Sequence, residues 1–286
     1  MRMLIGLMGL LLACAAPGVP GADVPEVLRV SAIPDENPTE LQRIYTPFAQ
    51  YLGHELRMKV QFTPVVDYAA TVEGLAAKKL DLVWYGGFTS VQAVRRTNGT
   101  AKRLVLREED AEFKSVFVAK PGFGIKSLAD LKGKTFAFGS VGSTSGHLMP
   151  RSFLLQAKVS PEKDMKHVAY SGAHDATALW VESGRVEAGA LNFLVWDKLL
   201  QQKKVDRAKV DVFYTTPPYV DYVWTVRGDL DPGLQDRIMA AFLKLDPANP
   251  EHRKLLELHR TKKYIRANDA DWKGTEEAAI AAGLLK

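Results

Sequence analysis

Three times along this chain, a strand-like run ends in a turn of small or hydroxyl-bearing residues and continues as a helix. Residues 80–85, 134–139 and 166–170 have the alternating or aromatic-rich pattern of strands, and each turn leads into residues with helical apolar spacing. In open α/β sheets, ligands bind beyond the carboxyl ends of the strands, where such turns lie. The pattern therefore predicts an α/β fold in which three turns meet at one cleft.

The middle turn carries a dense group of hydrogen-bond donors, namely Ser143, Thr144, Ser145, Gly146 and His147. A helix that begins there presents unpaired backbone N–H groups and the positive end of its dipole, so these hydroxyls and amides can replace the hydration shell of a small oxyanion. Ser and Thr are also common helix caps, and ordinary capping is the alternative. For His147 we expect the backbone N–H, rather than the ring, to face the ligand.

The order of the predicted elements divides the chain into two α/β lobes. A strand–helix–strand–helix–strand run is followed by a second run of the same order, and extended segments near residues 108–116 and 215–226 connect the two. Two such crossings create a cleft whose floor is a hinge. A capping-box spacing predicts that the first helix begins at Thr39. The predicted bounds are residues 24–108 and 222–286 for lobe 1, and residues 109–221 for lobe 2.

Composition and motif searches exclude several classes of function. The chain has 286 residues, 47% of them hydrophobic and 25% charged, as in ordinary globular proteins. Its net charge is +5, but Lys and Arg alternate with Asp and Glu, so we expect no nucleic-acid partner. The six histidines and the single cysteine show no zinc-ligand spacing, and no phosphate loop or dinucleotide fingerprint is present. We therefore expect neither a metal nor a cofactor.

Residues 1–22 have the pattern of a secretory signal peptide. Met1 and Arg2 precede a short apolar run that cannot span a bilayer. The run ends in Leu-Leu-Ala-Cys14, which resembles a bacterial lipobox except at Leu12, where a small residue is usual. Lipid attachment at Cys14 and removal of Cys14 with an ordinary signal therefore both stay open. We expect a periplasmic protein, or one on the outer face of a bacterial membrane if it is lipidated.

Four separated motifs resemble the phosphate-, phosphite- and phosphonate-binding proteins of ABC importers. They occur in the family's order, as Asp-Leu-Val-Trp-Tyr85-Gly-Gly, Ser-Thr-Ser-Gly-His147, Ser-Gly-Ala-His174-Asp-Ala and Thr-Thr-Pro-Pro-Tyr-Val-Asp221. The strings Ser-Ala-Ile-Pro-Asp-Glu36, Trp-Tyr-Gly-Gly-Phe88 and Ser-Gly-His-Leu-Met-Pro-Arg151 are most similar to a selenate-binding subgroup. The resemblance implies a two-lobe periplasmic binding protein of the second topological type. Such a protein delivers a small oxyanion to an ABC permease and does not catalyse a reaction.

The resemblance also implies roles for individual residues. The hydroxyls and backbone of the 143–145 turn would donate to the oxyanion, Tyr85 would supply a phenol, His174 an imidazole N–H, and Asp221 would accept a proton from the ligand. Tyr45 and Asn192 could also reach the cleft, or could be packing and capping residues. The implied ligand-binding set is Tyr85, Ser143, Thr144, Ser145, His174, Asp221, Tyr45, Asn192, Gly146 and His147.

Two other functional hypotheses stay open. A hydrolase would use Ser145 as nucleophile and His174 as base, with Asp197 or Asp221 orienting the histidine. A ligand-sensing module would instead signal through a separate receptor. The ligand of a binding protein is also open among phosphonate, phosphite, phosphate and selenium oxyanions, which differ in size and protonation.

Overall fold

Two β-sheets organise the chain in a computed structural model that describes residues 23–286. The predicted signal peptide, including Cys14, lies outside the described residues. The strands of the described part are β1 (Val27–Ala32), β2 (Lys59–Phe62), β3 (Leu82–Tyr85), β4 (Lys102–Arg107), β5 (Ser115–Ala119), β6 (Thr135–Phe138), β7 (His167–Tyr170), β8 (Ala188–Asn192), β9 (Asp211–Thr215), β10 (Val223–Val226) and β11 (Tyr264–Arg266). One sheet has the order β11-β4-β10-β3-β1-β2 and the other β7-β6-β8-β5-β9. We call the units built on them lobe 1 and lobe 2.

Helices connect the strands within each lobe. Those formed by residues 23–286 are α1 (Pro38–Leu56), α2 (Tyr68–Ala76), α3 (Gly87–Arg96), α4 (Met149–Gln156), α5 (Pro161–Asp164), α6 (His174–Glu182), α7 (Phe193–Gln201), α8 (Pro232–Leu243), α9 (Pro250–Leu258) and α10 (Lys273–Ala281). None of these is both long and apolar enough to cross a membrane. Helix α1 begins one residue before the predicted Thr39, because Asn37 caps it by accepting from Glu40 N at 3.1 Å. Pro38 fits the first helical position, where no N–H is needed.

Both sheets are mixed, which follows from the two crossings of the chain between them. In lobe 1, β1 runs parallel to β2 and β3, whereas β10, which returns from lobe 2, runs antiparallel to β3 and β4. The two crossing segments pair with each other, since Phe113 N donates to Tyr219 O at 2.8 Å and Tyr219 N donates back to Phe113 O at 2.9 Å. The predicted α/β architecture with two lobes and two crossings is therefore confirmed.

Apolar side chains cover both faces of the second sheet and hold its strand ends in place. One cluster includes Val118, Leu191 and Trp196, and the other is built around Phe117 and Phe136. Strands covered on both faces read as nearly continuous apolar runs, as in β6 and β8. The packed core therefore fixes the position of the last residue of β6, from which the next turn begins.

Candidate functional site

The turn after β6 is packed closely around position 146, where an added Cβ would make tighter contacts than side chains usually do. Gly139 N donates to Gly146 O at 2.8 Å, and a Cβ on Gly146 would lie 3.0 Å from both Ser143 Oγ and His174 Cε1. The chain then forms a π-helical turn, Thr144–Leu148, that continues into α4. Ser143 caps this turn, because its Oγ accepts from Gly146 N at 3.0 Å. Turns of this kind are frequent at functional sites, and here the hydroxyls of Thr144 and Ser145 and of the capping Ser143 are all buried.

Two backbone N–H groups of lobe 1 contact this turn and the nearby Asp221. Phe88 N, at the start of α3, donates to Thr144 Oγ1 at 2.9 Å. Gly87 N donates to Asp221 Oδ1 at 2.8 Å, and Asp221 itself stands just before β10. A Cβ on Gly86 would lie 3.0 Å from Thr144 Oγ1 and 3.4 Å from Asp221 Oδ1. The predicted turns after β3 and β6 therefore meet, with Asp221 between them.

Three buried polar atoms around this meeting point have no hydrogen-bond partner within residues 23–286. They are Ser145 Oγ, Asp221 Oδ2 and the hydroxyl of Tyr68. Tyr68 is the first residue of α2, and a Cβ on Gly142 of the facing turn would lie 3.0 Å from Tyr68 Cβ. A buried polar atom without a partner costs about 1–3 kcal/mol. Three such atoms at one place therefore indicate where the polar atoms of a ligand bind.

The phenol at this site comes from Tyr68 and not from the predicted Tyr85. Tyr85 is fully buried at the end of β3, and its hydroxyl donates to the backbone oxygen of Thr71 at 2.7 Å. The expectation for Tyr85 is thus corrected, because its hydroxyl stabilises α2 within lobe 1. The sequence contained one signal for Tyr68. It begins the helix that follows β2, and β2 belongs to the same sheet as β3, so the ends of both strands lie along one sheet.

Asp221 can hold a proton near neutral pH. Its carboxyl group is fully buried, and this burial raises its pKa to about 7, although the hydrogen bond from the Gly87 N–H favours the charged form. Oδ1 accepts from Gly87 N, whereas Oδ2 has no hydrogen-bond partner in the part of the chain that the structure describes. The site can therefore accept a proton from a ligand at Oδ2, or donate one when Asp221 is protonated.

His174 lies against the Ser143 turn, but both of its ring nitrogens have protein partners. Asn192 N donates to Nδ1 at 3.3 Å, which assigns the ring proton to Nε2. Nε2 then donates to the Tyr222 hydroxyl at 3.2 Å, and that hydroxyl donates to Asp35 Oδ2 at 3.1 Å. Burial lowers the pKa of His174 to about 3, so the ring is neutral. The expected imidazole donor is therefore engaged by Tyr222, which corrects the prediction of a direct role for the His174 ring.

Asn192 and His147 both have protein partners. The amide nitrogen of Asn192 donates to the Tyr222 hydroxyl at 3.0 Å. The side-chain oxygen of Asn192 caps α7, accepting from Leu194 N at 2.7 Å and from Val195 N at 3.1 Å. The ring of His147 donates from Nδ1 to Val141 O at 2.7 Å and accepts at Nε2 from Arg151. Burial lowers the pKa of His147 to about 4. Asn192 therefore caps α7 and contacts Tyr222, and the His147 ring is engaged by Val141 and Arg151 of lobe 2.

Tyr45 belongs to the aromatic core of lobe 1. Its ring stacks on Phe62 with centroids 5.2 Å apart and meets the edges of Trp224 and His259. The packing alternative for this residue is therefore the one that the structure favours over ligand binding.

The residues proposed for hydrolysis do not form a catalytic arrangement. A serine nucleophile needs a histidine within hydrogen-bond reach, but Ser145 Oγ has no partner in the described part of the chain and His174 is bonded to Asn192 and Tyr222. Asp197 lies on α7 with an exposed side chain. No cluster of metal-ligating side chains occurs within residues 23–286 either. The site instead offers hydroxyl donors and the carboxyl group of Asp221, which are suited to binding a ligand.

Comparisons with known proteins point in the same direction. The family model described as "ABC transporter, phosphonate, periplasmic substrate-binding protein" matches residues 30–272. The chain is 38% identical over 268 residues to the probable ABC transporter phosphite binding protein PhnD1 of Prochlorococcus marinus, covering 88% of this chain and 89% of the relative. It is 29% identical over 269 residues to the phosphate-import protein PhnD of Mycolicibacterium smegmatis, covering 91% and 77%. The solved structure of PhnD1 with methylphosphonate matches with a TM-score of 0.88 over 92% of this chain and 100% of that one.

Proposed function

The chain belongs to the family of periplasmic substrate-binding proteins of phosphonate ABC transporters, and we propose that it captures a small phosphonate or phosphite between its lobes. The observation that carries this proposal is a set of buried atoms that have no hydrogen-bond partner within residues 23–286, namely Tyr68 OH, Ser145 Oγ and Asp221 Oδ2. Two can donate to oxyanion oxygens, and the third can accept the acidic proton of the same ligand. The names of the relatives, which mention phosphite, phosphate and methylphosphonate, support this ligand class.

The carboxyl group of Asp221 favours ligands that bring a proton. A charged carboxylate repels an oxyanion unless an acidic O–H lies between them, in which case a short charge-assisted hydrogen bond forms. Phosphonate monoanions, hydrogen phosphite and hydrogen phosphate carry such a proton near neutral pH, whereas sulfate and selenate do not. The resemblance to a selenate-binding subgroup stays a prediction, and none of the relatives described above is named for selenium.

Several contacts join the lobes around the site and depend on cleft closure. Asn37 Nδ2 of lobe 1 donates to Asp175 Oδ2 of lobe 2 at 2.9 Å, and His174 N donates to Asp35 O at 2.9 Å. A ligand that touches both lobes binds the closed form better and shifts the population toward it. We propose that the lobes move as residues 24–108 with 222–286 against residues 109–221, and that the permease of the transporter recognises the closed form. Lipid attachment at Cys14 stays a prediction.

Calorimetric titration and thermal unfolding of residues 23–286 test the proposed ligand class. Methylphosphonate and hydrogen phosphite are expected to bind and to raise the unfolding temperature, because a ligand at a hundred times its Kd stabilises the native state by about 2.7 kcal/mol. Sulfate and selenate serve as controls of similar shape without the proton. Stabilisation by selenate alone, or hydrolysis of phosphate esters by the protein, would contradict the proposal.

The assignment of the phenol predicts different behaviour for two tyrosine variants. Tyr68→Phe is expected to weaken methylphosphonate binding by about tenfold or more, since a hydrogen bond to a charged group contributes about 1.5–3 kcal/mol. Tyr85→Phe is the matched control, which should keep its affinity and lose folding stability because Thr71 O is left unpaired. Calorimetric titration and urea unfolding of both variants separate the effects. Loss of affinity in Tyr85→Phe alone would restore the sequence-based assignment.

A further inference from the structure

A buried group of ion pairs joins the lobes where α7 meets the start of α1. Lys198, on α7 of lobe 2, contacts Glu36 Oε2 and lies 3.1 Å from Glu40 Oε2, both in lobe 1. All three residues are at most 8% exposed. We call Lys198, Glu36 and Glu40 the interlobe ion pairs.

Each of the two carboxylates also has a cationic partner in its own lobe. Both carboxylates that contact Lys198, by contrast, belong to the opposite lobe. Arg260 lies 2.9 Å from Glu36 Oε1, and Arg43 lies 2.9 Å from Glu40 Oε2. Both arginines belong to lobe 1. When the lobes separate, each carboxylate therefore keeps a cation, while Lys198 leaves both of its partners and becomes hydrated. The interaction of Lys198 with the carboxylates thus distinguishes the closed form from the open form.

We propose that Lys198 is a positioning residue that sets ligand affinity by stabilising the closed form without touching the ligand. The proposal rests on the proposed function, because it requires that the ligand binds between the lobes. In a two-state protein, the apparent affinity equals the intrinsic affinity multiplied by the population of the binding-competent form. A contact that stabilises this form therefore raises the affinity for every ligand of the site by the same factor.

Removal of Lys198 is expected to weaken closure rather than to improve it. A buried ion pair has a large desolvation penalty, and an apolar replacement of the whole pair can be neutral. Here, however, loss of the lysine alone leaves two buried carboxylates close together with one cation fewer. Truncating one partner in this way destabilises the state in which the pair is buried. The open form is affected much less, because Lys198 is hydrated there.

The experiment compares Lys198→Gln and Lys198→Met with Lys244→Gln. Lys244 pairs with Glu55 at 2.8 Å on the exposed surface of lobe 1, so its loss leaves the open and closed forms equally affected. Calorimetric titration with methylphosphonate and hydrogen phosphite is expected to show about a tenfold loss in both Lys198 variants, with an unchanged ratio between the two ligands. Stopped-flow tryptophan fluorescence should show faster ligand release, because the closed complex opens more readily without Lys198. Thermal unfolding of the ligand-free variants checks that they are folded.

The possible outcomes separate this inference from the proposed function. Wild-type affinity in both Lys198 variants would overturn the inference, as would a loss for one ligand only, because the latter places Lys198 at the ligand. A loss of the same size in Lys244→Gln would also overturn it, by showing a general effect of charge. A wild-type protein that binds neither ligand would overturn the proposed function and this inference with it.

Discussion

Replacement of Asp221 by asparagine is expected to weaken the binding of hydrogen phosphite by about a hundredfold and to improve the binding of sulfate and selenate relative to it. Loss of one partner of a buried, charge-assisted hydrogen bond costs about 2–5 kcal/mol, and removal of the carboxylate also removes the repulsion that excludes unprotonated anions. The effect is large because Asp221 is fully buried and its Oδ2 has no other partner in the described part of the chain.

Asparagine is a close test because it keeps the contact that Asp221 makes with lobe 1. Its side-chain oxygen can still accept from Gly87 N, which lies 2.8 Å from Asp221 Oδ1. Its amide nitrogen then replaces Oδ2, so a hydrogen-bond acceptor becomes a donor at the same place. The substitution therefore changes which anions bind while it preserves the shape of the site.

The dependence of affinity on pH gives a second measurement on the same variant. Burial raises the pKa of Asp221 from 3.8 to about 7. Its contribution to the stability of the folded protein is therefore complete below pH 3.8 and is lost as the pH rises through about 7. Wild-type affinity for hydrogen phosphite should fall above pH 7, since Asp221 and the ligand then lose the proton that they share. Calorimetric titrations between pH 5 and 9 should show a flatter profile for Asp221→Asn. Tight selenate binding by the wild type, unaffected by the substitution, would place Asp221 outside the site.

The fold and much of the site could be predicted because their signals are local. The strand, turn and helix order follows from short-range hydrophobic patterns, and the Ser143 turn combines residue types that favour both a helix start and anion binding. Helix α7 was among the helices missing from the prediction, because Asn192 ends β8 and caps α7 without an intervening turn. Where a strand passes directly into an apolar helix, the capping residue, here Asn192, is the main boundary signal in the sequence.

The direction of individual side chains could not be predicted, because partners distant in the sequence decide it. Tyr68 begins a helix and Tyr85 ends a strand, and both lie near the cleft. Only the hydroxyl of Tyr85 donates to Thr71 O, and this contact is not visible in the sequence. His174 is similar, since its donor is engaged by Tyr222, which is 48 residues away and on the far side of a lobe crossing. Such choices depend on tertiary contacts that hydrophobic patterns do not encode.

Ser145→Ala is expected to reduce methylphosphonate affinity about tenfold to a hundredfold while leaving the ligand-free protein as stable as the wild type. Ser145 Oγ is buried and has no partner within residues 23–286, so the substitution removes a donor to the ligand and no internal hydrogen bond. Ser143→Ala is the contrasting variant, because Ser143 Oγ also accepts from Gly146 N. Loss of such a cap costs about 1 kcal/mol of folding stability, so Ser143→Ala should lose both affinity and stability.

Calorimetric titration and urea unfolding of these two variants decide between an anion site and ordinary capping. If the turn binds the ligand, Ser145→Ala loses affinity alone, because its hydroxyl stabilises only the complex. If the hydroxyls are caps and nothing more, Ser143→Ala unfolds more easily and both variants titrate like the wild type. The two serines are two residues apart in one turn, so this difference measures what the unpartnered hydroxyl contributes when neighbouring backbone and burial are held constant.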